Sequence, residues 1–543
     1  MFLLNVAVGP AGATFMRQAN RLGQGRAVSF TTYLVPLAGP DWRPLFAWAR
    51  TAFPRYFLSP TLLKGSTFDA VDTGLGLYTC ANSEDMNLTE VVDMYGATTN
   101  WDAHFYWPYI GMFLPPIKPA NADWKSNTGP QEEPNCGAHY SHGDTVNVAV
   151  IGTELATAAA NGIKTLQYFN LIEYGENFDC AHIPPAEVPP PANDWQNATV
   201  FLANHMRDAL WPGCPGTGWQ GGIDLDPASP SYHAFLVSQA KLFADTFSNQ
   251  FYGIAVDRLD HLSMWNNPCS AAFDDGLAWC GAPCYPLMSA WNRIMGNLSD
   301  VIHSAPGRLI TANYVTPGRV DALQHADGVF SEDYLNHIAQ LLNAGLSTTG
   351  KPPNMIWTYS ADEVLGYKPT PDAYMAQHVL MKAFPFAPAL GNDHSIQPQV
   401  TGDQACHWLY VSWAAIFRAM RGGCWWLAPD PVLATPSGEY YSNAFTRGGG
   451  CTAPGVDGGN GPVQEALSFL AAPEGRGESS NVTVTLADPF EGAVPSRCES
   501  TVPGVGVPWL GAGVPVRDAV SGRWAFAEPF TMSRGALLIR CYR

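Results

Sequence analysis

The chain has 543 residues, enough for two or three domains. Hydrophobic residues make up 46% and charged residues only 14%, with 52 Gly and 45 Pro, which suits a compact protein with long ordered loops rather than a disordered one. A formal net charge of −18 repels phosphate backbones and anionic lipid, so nucleic acid and membrane surfaces are poor partners.

The opening run Met1–Val8 has no basic region and is short for a secretion signal, so it predicts a strand. Ser29–Leu37 is β-branched and aromatic and predicts another. Asp41–Arg50 predicts a helix with Asp41 as its N-cap. Residues 1–60 thus form a β-rich N-terminal segment with a lead-in helix.

From 61 to 435, short apolar runs alternate with helical patterns, the signature of a parallel α/β fold. The predicted strands are Gly74–Thr79, His104–Ile110, Ile163–Phe169, Gly253–Asp257, Leu309–Asn313, Gly328–Glu332, Met355–Tyr359 and Phe384–Leu390. Helices are predicted at Leu236–Phe247, Met288–His303, Tyr374–Lys382 and His407–Met420. Eight such strands make a (β/α)8 barrel. Insertions rich in Pro, Gly and Trp follow the second, third and fourth strands and belong over the top face. From 436 to 543 the pattern changes. Val482–Leu486, Val514–Asp518 and Gly535–Arg540 are short strands between Gly/Pro turns, which predicts an antiparallel β-sandwich.

Twelve cysteines run from Cys80 to Cys541 with no CxxC pair, which argues for disulfides over structural zinc. Cys269, Cys280 and Cys284 crowd one loop. Sequons stand at Asn87, Asn197, Asn297 and Asn481. Together these features predict a secreted or secretory-lumen glycoprotein. No stretch is long and apolar enough to span a bilayer.

The chemistry concentrates at strand ends. Tyr252–Val256 runs into Asp257, with Asp260 three residues on, and Ala326–Phe330 runs into Ser331, Glu332 and Asp333. Barrels place catalytic groups where their strands end, and two carboxyls there are the minimum equipment for cleaving a glycosidic bond. The structural alternative is that these acids cap helices or pair with Arg258. Side chains alternate along a strand, so Gly253, Ala255 and Asp257 share one face while Ile254, Val256 and Arg258 share the other. The larger aliphatics suit the helices, which aims Asp257 at the barrel axis. The same phase favours Glu332 over Asp333. Asp260 and Asp333 are the alternative acids. Candidate substrate contacts are Trp107, Asn170, Glu173, Arg258, Asn313, Tyr359 and His394. Trp107 belongs to an aromatic cluster of the kind whose rings pack on sugar C–H faces. Leu75–Ala81 carries no His for a barrel metal site, and Walker, GxSxG and HExxH motifs are absent, so no cofactor or metal is expected.

On Gly-Ile-Ala-Val-Asp257 and Phe-Ser-Glu332-Asp333, set in this order of elements, the chain resembles retaining (β/α)8-barrel glycoside hydrolases. It is similar to the alpha-galactosidase/alpha-glucosidase clan and to endo-alpha-N-acetylgalactosaminidase-like families. The resemblance implies an Asp nucleophile ending the fourth strand, a carboxylate acid/base ending the sixth, and retention of configuration. The chain departs from that pattern in two ways. The Lys-Tyr-Asp and Trp-Asp-Met contexts are missing, and the second acid there is usually Asp.

The expected function is a glycosidase acting on an oligosaccharide, polysaccharide or glycoconjugate by a two-carboxylate mechanism. The alternatives are a non-catalytic carbohydrate-binding protein on a degenerate barrel and a polysaccharide lyase. With 29 Lys and Arg, the chain is poorly furnished to neutralise a lyase's uronate.

Overall fold

The computed structural model describes residues 4–9, 12–17, 31, 33, 35, 36, 39, 41, 43–64, 75–79, 97–102, 124–125, 145–146, 148–171, 173–174, 183–191, 198–210, 223–248, 250, 252–257, 269–276, 278–279, 282–313, 322, 324–332, 354–357, 368, 370–385, 407–435, 440–448, 462–472 and 480–543. The chain opens on an antiparallel hairpin, Leu4–Gly9 with Gly12–Arg17. The expected strand over Ser29–Leu37 does not form at the described residues 31, 33, 35 and 36. Tyr33 instead packs at a tilt against Trp48 and edge-to-face against Phe53, with ring centroids 5.6 and 5.3 Å away. The lead-in helix α1 runs Arg43–Ala52. Asp41 Oδ1 accepts from the Arg43 backbone N–H at 3.0 Å, which satisfies an otherwise orphaned helix donor.

The centre is an eight-stranded, all-parallel sheet: β1 Leu75–Thr79, β2 Ala97–Asp102, β3 Lys164–Asn170, β4 Gly253–Asp257, β5 Leu309–Asn313, β6 Gly328–Glu332, β7 Asn354–Trp357 and β8 Phe384–Pro385. Its strand order is its chain order, without the reversal of a doubly wound sheet. Right-handed crossovers that always step the same way put every helix on one face. Helices α2 Val148–Ala160, α3 Pro230–Thr246 and α4 Leu287–Ile302 obey this. Phe169, Ile254, Val256, Ile310, Ala312 and Val329 join Leu155, Phe243, Trp291 and Leu298 in one core. Yet β4 and β5 are buried at every residue, so their other face is covered too. The edge strands β1 and β8 bring α-carbons within 8 Å of each other. Among the described residues no hydrogen-bond ladder joins them.

One strand lies away from its expected place. The second is Ala97–Asp102, whereas His104–Ile110 was expected, and that segment lies outside the described residues. Ala97–Asp102 is rich in Thr and Asn, so it has no apolar run to announce it. Pairing with β1 on one side and β3 on the other makes it a strand.

Helices α5 Pro371–Met381 and α6 His407–Met420 complete the layer. Beyond them lie two antiparallel sheets. The first is ordered β9 Cys424–Trp425, β11 Tyr441–Arg447, β12 Glu465–Ala471, β19 Ala536–Tyr542, β14 Arg497–Thr501 and β15 Leu510–Gly511. The second joins β10 Val432–Thr435, β13 Ser480–Leu486, β17 Trp524–Ala525, β16 Val516–Arg517 and β18 Phe530–Met532. Two of these strands, β9 and β10, precede residue 436. Leu467, Phe469 and Leu538 pack on Trp413 and Phe417 of α6. Their neighbours Ala466, Leu470, Leu537 and Ile539 pack on Val484 and Trp524 of the second sheet. The first sheet is therefore sandwiched, and a disulfide between Cys498 and Cys541 crosses its β14–β19 pair. Cys284 is buried.

A buried carboxylate holds the N-terminal end of the central sheet. Asp327, 0% exposed, accepts from Ser59 Oγ (2.5 Å) and the Thr61 N–H (3.0 Å) on Oδ1. Its Oδ2 meets His303 Nε2 (2.5 Å) and the Ile310 N–H (2.8 Å). Burial alone would raise its pKa, but the His303 charge and these donors hold it below the usual carboxylate range. Asp327→Ala should strand the donors and cost about 3–5 kcal/mol in urea denaturation, with Asp327→Asn costing less.

Two buried imidazoles have the opposite need. Burial pushes His378 down to about 4, against its hydrogen bond to the Tyr374 carbonyl. Burial, with the Arg293 charge, takes His233 down to about 4 as well. Each binds its proton more weakly folded than unfolded, so their stability contribution is complete above the ordinary 6.5 and is lost as pH falls through about 4. Thermal midpoints should fall across that window. His378→Leu should flatten the slope, and an unchanged slope would rule His378 out as a source.

Candidate active site

Parallel strands in one sheet point their C-terminal ends the same way, so β3, β4, β5 and β6 deliver Asn170, Asp257, Asn313 and Glu332 to one rim. Asp257 stands opposite Asn170 in the β4–β3 register. In the β4–β5 register Val256 stands opposite Ala312, which puts Asp257 beside Asn313. Asn313 stands opposite Phe330 on β6, two positions before Glu332. Glu332 is in turn opposite Trp357 on β7.

The phase of β4 matches expectation. Ile254 and Val256 belong to the helix-packed core and the buried Ala255 does not, so strand alternation puts Asp257 on the phase of Ala255. Asp257 is 6% exposed and Asn313 0%, both far below what their polarity would favour without partners. Asn313 Nδ2 donates to Asp257 Oδ1 at 2.6 Å. Gly253, at the foot of β4, has φ +148°, and a Cβ there would lie 1.8 Å from the Leu309 carbonyl oxygen. Only glycine lets β4 and β5 approach so closely.

Glu173 lies just past β3 in a two-residue strand, Glu173–Tyr174, paired antiparallel with Ile223–Asp224. Trp107, Arg258, Asp260, Asp333, Tyr359 and His394 lie outside the described residues. Among the described residues, no group of three or more His, Cys, Asp or Glu is arranged to hold a metal.

A second buried acid escaped sequence reasoning. Asp226 is 0% exposed and accepts from the Ala228 N–H at 2.8 Å and from Ser270 Oγ. Burial pushes its carboxyl above the usual range, against those hydrogen bonds. It couples the insertion between β3 and β4 to the one after β4. In the sequence, Asp226 before Pro-Ala-Ser-Pro reads as a helix-start acid. Ser229 is the actual N-cap of α3, accepting from the Tyr232 N–H. At the rim itself, Tyr232 Oη donates to the Leu171 carbonyl at 2.6 Å, which ties α3 to the end of β3.

No protein-family model matches the chain, and no curated protein matches it. Solved structures similar to it include an alpha-amylase from Geobacillus thermoleovorans complexed with acarbose, at 11% identity and TM-score 0.47, covering 88% of this chain and 99% of that one. A Paenibacillus cycloisomaltooligosaccharide glucanotransferase gives 8% identity and TM-score 0.49, covering 88% and 85%. A GH36 alpha-galactosidase from Geobacillus stearothermophilus gives 10% identity and TM-score 0.43, covering 91% and 58%.

Tyr232→Phe should cost about 1–2 kcal/mol in denaturant unfolding, because it leaves the Leu171 carbonyl buried without that donor. An unchanged midpoint would mean that the rim of β3 is held by other contacts.

Proposed function

We propose that this protein is a glycosidase that hydrolyses O-glycosidic bonds through Asp257 and Glu332. The observation that carries the reading is the phase of Asp257. It is a buried carboxyl at the C-terminal end of a central parallel strand, on the face turned from the helices. In the proposed fold, β1 and β8 close the sheet into a (β/α)8 barrel. With shear 8, hydrogen-bonded neighbours then drop by about one residue per strand toward the N-terminal end. The position level with Asp257 two strands on is therefore two beyond Phe330, which is Glu332.

Asp257, ionised, attacks the anomeric carbon. Glu332, protonated, gives its proton to the leaving oxygen and then takes one from the incoming water. Carboxyls about 5–5.5 Å apart would retain configuration through a covalent glycosyl-enzyme. Asn170, Glu173, Arg258, Tyr359, His394 and Trp107 are proposed to contact the sugar, and Asp260 and Asp333 are the reserve acids. The proposed setting is an oxidising compartment, supported by the Cys498–Cys541 disulfide and by the exposed sequon Asn481 on β13.

The test uses 4-nitrophenyl α- and β-glycosides of glucose, galactose and N-acetylgalactosamine, together with maltotriose and isomaltotriose, with the first product anomer read by NMR. Retention is expected. Asp257→Asn should lower kcat/KM by about 10³-fold, about 4 kcal/mol of transition-state stabilisation. Azide should partly restore Glu332→Ala on the aryl glycoside by replacing the missing base assistance. Parental turnover by Asp257→Asn would dismiss the assignment.

A further inference from the structure

We infer that Asn313, expected from sequence to touch substrate, is instead a positioning residue that orients the Asp257 carboxyl for attack. The inference rests on the glycosidase reading. The geometry is local and rigid. Asn313 and Asp257 end adjacent parallel strands in matched register, and neither has more than 6% of its surface exposed. The 2.6 Å contact runs from an amide that can only donate at Nδ2 to a carboxyl oxygen. A donor at 2.6 Å holds one carboxyl oxygen of Asp257 in place. It also sets the plane of the group. Asparagine has only two side-chain torsions, so little freedom remains between the two backbones.

The other end of β5 explains why this contact can be held. The Ile310 N–H donates to Asp327 Oδ2 at 2.8 Å, and the Asp327 N–H donates to the Ile310 carbonyl at 2.7 Å. β5 is thus fixed along its own axis three residues before Asn313. All five of its residues are buried, so packing resists rotation of the strand. An anchored strand carrying a short amide is what holds a reactive group to within a fraction of an ångström.

Substrate contact and positioning separate in the kinetics. Each variant is assayed on the 4-nitrophenyl glycoside that the parental protein turns over fastest. Asn313→Ala should lower kcat about 10–100-fold with KM changed less than about two-fold. Asn313→Asp keeps the side-chain shape, replaces the donor by a like charge, and should lose at least as much. It also carries the test should Asn313→Ala fail to fold, with thermal melts reporting folding for both. Parental kcat in either folded variant overturns the inference, as does a loss confined to KM, which would restore the substrate-contact role. If Asp257→Asn is inactive while Asn313→Ala is parental, the positioning role alone falls. If the parental protein turns over no glycoside, or Asp257→Asn is fully active, the glycosidase reading falls and takes the inference with it.

Discussion

The buried carboxylate of Asp327 is the constraint around which the central sheet is arranged. A desolvated charge is tolerated only when its lone pairs are filled. Four donors fill them here: the Ser59 hydroxyl, the Thr61 and Ile310 N–H groups and the His303 ring. They come from the lead-in segment, from β5 and from the end of α4. One side chain therefore sets three pieces of chain against the N-terminal foot of β6. The same segment reaches the other way through Arg43, whose guanidinium donates to the Ser442 carbonyl at 2.9 Å, and through Asp41, which accepts from the Asp430 N–H at 3.0 Å. Residues 41–61 thus clip the C-terminal sheets to the foot of the parallel sheet.

That arrangement divides the labour between the two ends of the parallel strands. At the foot, polar groups are spent on each other. At the opposite rim, Asp257 and Asn313 are also buried and hydrogen-bond to each other. With α2, α3 and α4 on one face of the sheet, the residues of the other phase on β4 and β5 are buried on the opposite face. Small residues such as Gly253 and Ala255 fill that phase on β4, and the aliphatics Ile254 and Val256 take the helical side.

The C-terminal sheets show the same logic with different spacing. β12 is buried at all seven residues because α5 and α6 cover one face and the second sheet covers the other. A strand enclosed on both sides has no polar phase to display. Only Glu465 at its start is charged, and it is met by Arg447 at 2.9 Å and Arg540 at 2.5 Å.

The sequence by itself determined those strands whose apolar residues stand together or alternate. Gly253–Asp257, Leu309–Asn313 and Gly328–Glu332 occupy the residues expected of them; helices α4 to α6 lie within three residues of where periodicity puts them, and α3 starts six residues before its expected start. The phase of Asp257 was legible too, since alternation in a strand is a local property of the chain. Only the tertiary structure decided the rest. Ala97–Asp102 is polar and becomes a strand because partners on both sides take its backbone hydrogen bonds. Ser29–Leu37 has strand composition but leaves Tyr33 against Trp48 and Phe53. β12 lacks the period that would have announced a strand. The pairing of Asn313 with Asp257 and the gathering of donors on Asp327 join residues 56 and 17–268 positions apart, and no local pattern encodes a contact at that range. A sequence sets which face each residue takes, whereas burial of a charge is decided by what the fold brings to meet it.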